Sequence, residues 1–89
     1  MTRIQIFENL VKKASDTYKA KNADYGDSFG KSYREYGLTM PCIRLEDKLN
    51  RLKSLNFSKS AKVNESIEDT LMDLANYAIM TLIELEGEE

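Results

Sequence analysis

The chain has 89 residues, a net charge of −2, one cysteine and no histidine. A length of this order allows one thin core, which needs a supplement, and a lone Cys42 with no histidine supplies neither an internal disulfide nor a usual zinc site, leaving oligomerisation. The missing histidine removes the commonest general base and every Ser-His or Cys-His nucleophile pair, and the acidic balance argues against a domain that grips nucleic acid by its backbone.

No apolar run reaches the length of a membrane span, and the N-terminus lacks a charged-then-apolar leader, so a mature, soluble, cytoplasmic protein in a reducing setting is expected, with no membrane and no nucleic acid partner. The expected architecture is a single all-α domain over 1–89: a compact bundle of three long helices and one short helix, completed by oligomerisation.

Thr2 followed three residues later by Gln5 is a capping-box pattern, and Phe7, Leu10, Val11, Ala14 and Tyr18 then repeat at helical spacing. This predicts a helix over 3–21, with Lys12, Lys13, Asp16, Lys19 and Lys21 as an ordinary solvated face. Asn22 to Gly26 reads as its end. Gly26 is suited to positive φ and Asp27 to capping a short helix over 28–36. In that helix Phe29, Tyr33 and Tyr36 recur at i, i+4 and i+7. Together with Tyr25 they form an aromatic cluster suited to core packing or to stacking on a base. Gly37 should stop it, with Leu38 in place for an apolar contact.

Thr39 as cap and Pro41 in the first turn open a third helix over 40–55, in which Cys42, Leu45, Leu49 and Leu52 form the expected buried stripe. Its opposite flank carries Arg44, Asp47, Asn50 and Arg51, with Glu46 and Lys48 at the edges. Mixed charges at these spacings ordinarily make surface ion pairs. The polar run Asn56 to Val63 reads as a loop, and Asn64 as the cap of a last helix over 64–86, roughly 35 Å long. On that helix Glu65, Asp69, Asp73 and Asn76 share one stripe, while Ile67, Leu71, Leu74, Ala75 and Ala78 fall on the far side. Such an acidic stripe is either a solvated face or a place for a divalent cation that bridges to phosphate. Beyond Asn76 the helix is apolar nearly all round, which points to a partner subunit.

Acids on two consecutive long helices resemble the all-α nucleoside triphosphate pyrophosphohydrolases, the group of MazG and the dimeric dUTPases; Asp69 and Asn76 keep the seven-residue spacing of that group's second motif. A closer resemblance, over roughly Lys21 to Glu86, is to the nucleotide modification associated domain 1 family of phages and prophages. Three pieces carry it: Lys21-Asn22-x-Asp24-Tyr25-Gly26, Arg44-Leu45-x-Asp47-Lys48-x-x-Arg51-Leu52, and Glu65-Ser66-x-x-Asp69-Thr70-Leu71-x-Asp73-Leu74-Ala75-Asn76-Tyr77.

The resemblance implies a phage- or prophage-encoded, nucleotide-handling protein, working as a homodimer or homotetramer in the bacterial cytoplasm. Mg²⁺ on Asp47, Glu65 and Asp69 would serve catalysis, and Tyr25, Arg44, Lys48, Arg51, Asp73 and Asn76 would bind substrate. The chain departs from the pyrophosphohydrolase pattern in the first helix of the pair, where Glu-x-x-Glu is missing and Arg44, Lys48 and Arg51 surround Asp47. Fewer acids weaken a two-metal site, and more cations strengthen a direct grip on phosphate. Two functions follow as expectations: a Mg²⁺-dependent pyrophosphohydrolase, or a non-catalytic module that binds or sequesters a nucleotide.

Overall fold

A computed structural model of the chain describes residues 1–58 and 63–87, the side chains of 24, 25, 63 and 64 excepted. The described residues form four helices and no strand: α1 (Arg3–Tyr25), α2 (Ser28–Tyr36), α3 (Thr39–Asn56) and α4 (Val63–Gly87). The protein is therefore all-α. Much of the expected loop after Asn56, and the cap expected from Asn64, lie outside the described residues.

Local chemistry sets most helix ends. At the start of α1 the Thr2 hydroxyl accepts from the Gln5 N–H at 3.1 Å, and the Gln5 side chain accepts from the Thr2 N–H at 2.8 Å. Two amides that the helix leaves unpaired are thus satisfied by one capping box. The helix runs four residues past the expected Lys21, because Asn22 to Tyr25 tolerate helical geometry and only Gly26, at φ 63, leaves it. Gly37, at φ 67, ends α2 in the same way, its N–H donating to the Tyr33 carbonyl at 2.7 Å.

Two expected caps are corrected. Asp27 sits at the head of α2, but its carboxylate makes no cap; it accepts instead from Arg34 at 2.9 Å. Leu38, not Thr39, precedes α3, again with no side-chain cap, and Thr39 is already helical.

α3 and α4 make the most extensive packing in the fold, and α1 touches α4 over a much smaller area. On α3 the buried residues are Met40 and Pro41, with Leu45 and Leu52 half-buried. The expected stripe is corrected at two places, since Cys42 and Leu49 are exposed. The helix is turned so that Lys48, 2.9 Å from Asp73 of α4, takes an inward position that apolar spacing assigns to Leu49. Tyr36 is likewise exposed, leaving Tyr33 buried and Phe29 half-buried from the expected aromatic cluster. On α4 the buried Thr70 and Thr81 turn their hydroxyls back to the Ser66 and Tyr77 carbonyls, each at 2.7 Å. That internal bond satisfies each hydroxyl without a partner helix.

α1 reaches the fold only through its second half. Ala14 is buried, and its size lets α4 come close enough for the Asn76 amide to donate to the Ala14 carbonyl at 3.2 Å. Toward the N-terminus the same stripe continues through Val11, Leu10, Phe7 and Ile4, all at least half exposed. The first turns of α1 therefore project as an arm. The radius of gyration is 14.6 Å, against about 12 Å for a compact chain of this length. No helix among the described residues is long and apolar enough to cross a membrane.

Gly37 offers a clean test of the turn chemistry, because a β-carbon there would meet nothing within 4 Å while φ stays at 67°. Gly37→Ala should lower stability by about 1–3 kcal/mol from backbone strain alone, read as a shifted midpoint in urea denaturation.

Candidate functional site

Asp73 is where three helices meet. Its Oδ1 accepts from Lys21 Nζ of α1 at 3.1 Å, and its Oδ2 pairs with Lys48 Nζ of α3 at 2.9 Å. One carboxylate thus holds two ammonium groups brought from opposite sides. Partial burial alone would raise the Asp73 pKa, but the hydrogen bonds and charges of Lys48 and Lys21 outweigh it and hold the carboxyl below its usual value. One turn further along α4, Asn76 bonds to α1 as described. Asp73 and Asn76 therefore fix the spacing of α1, α3 and α4 as well as lining a site.

The cleft they line has a volume of about 380 Å³ and runs between α1, α2 and the second half of α4. That is the size range of small-molecule pockets. Its walls are mostly apolar, with Phe29, Tyr77, Met80 and Ile83, and the Phe29 and Tyr77 rings lie nearly parallel at 14° with centroids 6.0 Å apart. Its ends differ in charge. At the α2 end, Asp27 and Glu84 close over buried Gly30, where a β-carbon would collide with the Asp27 carboxylate and lie 3.0 Å from Glu84 Oε1. At the other end are Lys21, Arg44 and Asp73. Asp73 and Glu84 are eleven residues apart on α4, roughly 16 Å along its axis.

Arg44 and Tyr77 are shared with a second hollow of about 310 Å³ on α3, which adds Asp47, Lys48 and Arg51. The two hollows thus adjoin. Around the junction stand four cations, Lys21, Arg44, Lys48 and Arg51, against two carboxylates, Asp47 and Asp73. The local balance is +2 in a chain whose total is −2.

Of the residues singled out from the sequence, the fold brings together Arg44, Asp47, Lys48, Arg51, Asp73 and Asn76. Glu65 and Asp69 are exposed and line neither hollow. The side chain of Tyr25 lies outside the described residues. Among the described residues no three acidic or thiol side chains gather closely enough to hold a metal ion, so Asp47, Glu65 and Asp69 do not form one ligand set within the chain.

Lys21 and Tyr77 are among the residues of the site that sequence reasoning leaves out. Lys21 reads as part of a solvated face, yet it follows Ala14 and Tyr18 at i+7 and i+3, on the very stripe that meets α4. That spacing was the available signal. Tyr77 had one too, standing next to Asn76 with Phe29 and Tyr33 as possible aromatic partners.

A family model described as nucleotide modification associated domain 1 matches residues 21–85. The chain belongs to that family. No curated protein and no solved structure matches it.

The Asp73 pairing has a definite pH signature. A carboxyl whose pKa is lower folded than unfolded stabilises the fold above its unfolded pKa, and that contribution disappears as pH falls through the folded value. Asp73→Asn should therefore be less stable than the native chain at pH 7, and the difference should close on acidification below the ordinary carboxylate range. Thermal melts of both proteins across pH 2 to 7 check this.

Proposed function

From this family membership as premise, we propose that the protein binds a nucleotide, with base and sugar in the apolar cleft and the phosphates on the cationic shelf of α3. The observation that carries the reading is the junction of the two hollows. A partly open, largely apolar cleft adjoins, at Arg44 and Tyr77, the hollow that holds Arg44, Lys48 and Arg51, and the charge around this junction is opposite in sign to that of the whole chain.

Each part has a chemical use. Arginine matches phosphate oxygens through a planar fork of N–H donors, and Lys48 adds a compact charge beside it. Lys21 and Lys48 are already held at Asp73, so an arriving phosphate meets cations that are in position; positioning them costs little on binding. Tyr77 stands at the junction, where a ring suits a base or sugar face. At the far end, Asp27 already accepts from Arg34, and Glu84 is the carboxylate that can accept from an N–H or hydroxyl group of a nucleoside. The ligand's direction follows from these two ends.

A hydrolytic reading rests on the Asp69 to Asn76 spacing shared with the all-α pyrophosphohydrolases, with Mg²⁺ on Asp47, Glu65 and Asp69. These three acids do not gather within the chain, and Asn76 is bonded to α1, so this reading has the weaker support. Binding is the better supported of the two functions. A phage or prophage setting, in which unusual nucleotides are made and sorted, suits either one.

Calorimetric titration with a panel of nucleosides and nucleoside mono-, di- and triphosphates, with and without Mg²⁺, tests the proposal. Phosphorylated ligands should bind, bare nucleosides should bind far more weakly, and affinity should fall as salt rises. Arg44→Ala and Arg51→Ala should each weaken binding roughly tenfold or more, as loss of a charge-assisted hydrogen bond does. A panel with no binder, or affinity indifferent to both substitutions, would refute it. Release of pyrophosphate in the Mg²⁺ arm would favour the hydrolytic reading instead.

A further inference from the structure

On the nucleotide-binding reading, on which this step rests, we infer that Glu84 selects guanine among the bases, its carboxylate accepting from the ring N1–H and the exocyclic N2 amino group together. A carboxylate sets two acceptor oxygens side by side, and two donors at the same spacing match it best. Of the common bases, guanine alone offers such a pair on its Watson–Crick edge. Adenine and cytosine place a ring-nitrogen acceptor beside their amino group, and uracil and thymine flank one N–H with two carbonyls. Each of these would turn a lone pair toward Glu84.

Glu84 is half-buried and lines the cleft, its Oε1 turned over α2 so that it lies 3.0 Å from where a β-carbon of Gly30 would stand. Any side chain at position 30 would displace the Asp27 and Glu84 carboxylates, which accounts for a glycine inside α2, where it is intrinsically unfavourable. The two acids are not equivalent. Asp27 is paired with Arg34 at 2.9 Å, whereas among the described residues no side-chain donor bonds to Glu84. Two carboxylates against one guanidinium leave −1 at this end of the cleft. Glu84 is therefore the acceptor that a ligand meets, and between largely apolar walls a charge-assisted bond to it is stronger than in water.

The walls give the base a defined position. Phe29 precedes Gly30 on α2, and Tyr77 stands seven residues before Glu84 on α4, hence on the same face of that helix. Their rings, 14° from parallel, offer flat apolar faces to a purine whose edge reaches Glu84. From Glu84 back to Asp73 is roughly 16 Å along α4, enough for a base, a sugar and a row of phosphates laid end to end toward Arg44 and Lys48. The ligand class that fits both ends is a guanosine polyphosphate.

Calorimetric titration of the full native chain with GTP, ITP, ATP, CTP and UTP at one salt concentration tests this without any variant. GTP should bind about tenfold or more tighter than each of the others, ITP included, because ITP lacks only the N2 amino group and so loses one donor of the pair. Glu84→Gln, close in size, should weaken GTP binding about tenfold or more and shrink the gap between GTP and ITP. It should also move the preference toward ATP, since an amide accepts from the adenine amino group while donating to the adjacent ring nitrogen. A merely structural Glu84 would weaken all five ligands alike. Triphosphates that bind the native chain with no preference for GTP over ITP would overturn selection by Glu84 and leave the nucleotide-binding reading standing. So would a Glu84→Gln chain that keeps the native ratio of GTP to ITP affinity. Failure of all five to bind would overturn both.

Discussion

The contact on which the rest depends is the Asp73 carboxylate held between Lys21 and Lys48. It is the point where α1, α3 and α4 are joined by charge, and it explains why α3 presents Lys48 inward while Cys42 and Leu49 face solvent. Its value is positional more than energetic. Ion pairs with partly exposed members contribute at most about 1 kcal/mol each, and the helices are held chiefly by the packing of α3 on α4. What the pairing decides is where two ammonium groups stand, and the mouth of the cleft is built around them.

From that contact comes the separation of charge across the site. Asp73 neutralises part of the two lysines, Asp47 is the carboxylate that lines the second hollow with Arg44, Lys48 and Arg51, and the excess is positive at the junction of the hollows. Eleven residues along the same helix, Glu84 joins Asp27, whose carboxylate is paired with Arg34, at an end that accepts hydrogen bonds. α4 thus carries a member of each pole of the cleft, Asp73 at one end and Glu84 at the other. A molecule with an anionic end and a donor-rich end fits that polarity in one direction only.

The thinness of the core is the other governing constraint. Hydrophobic residues make up 42 % of the sequence, yet among the described residues only Ala14, Tyr33, Met40 and Pro41 are well buried apolar side chains. The apolar stripes of α1 and α4 are longer than the contacts available within one chain.

The sequence by itself determined what is short-ranged. Thr2 with Gln5 specifies the start of α1, Gly26 and Gly37 specify the ends of α1 and α2, and helical periodicity makes the chain all-α, because caps and turns depend on groups a few residues apart. It also marked Arg44, Lys48, Arg51 and Asp73 as residues of interest, through a motif spacing that survives without coordinates. The tertiary structure alone decided how α3 is rotated, that Lys21, still more than half exposed, reaches Asp73, that Asn76 ties α4 to the backbone of α1, and that Glu65 and Asp69 line neither hollow. Those outcomes depend on which faces of distant helices meet, and periodicity assigns a stripe to a helix without saying which stripe of another helix it will face.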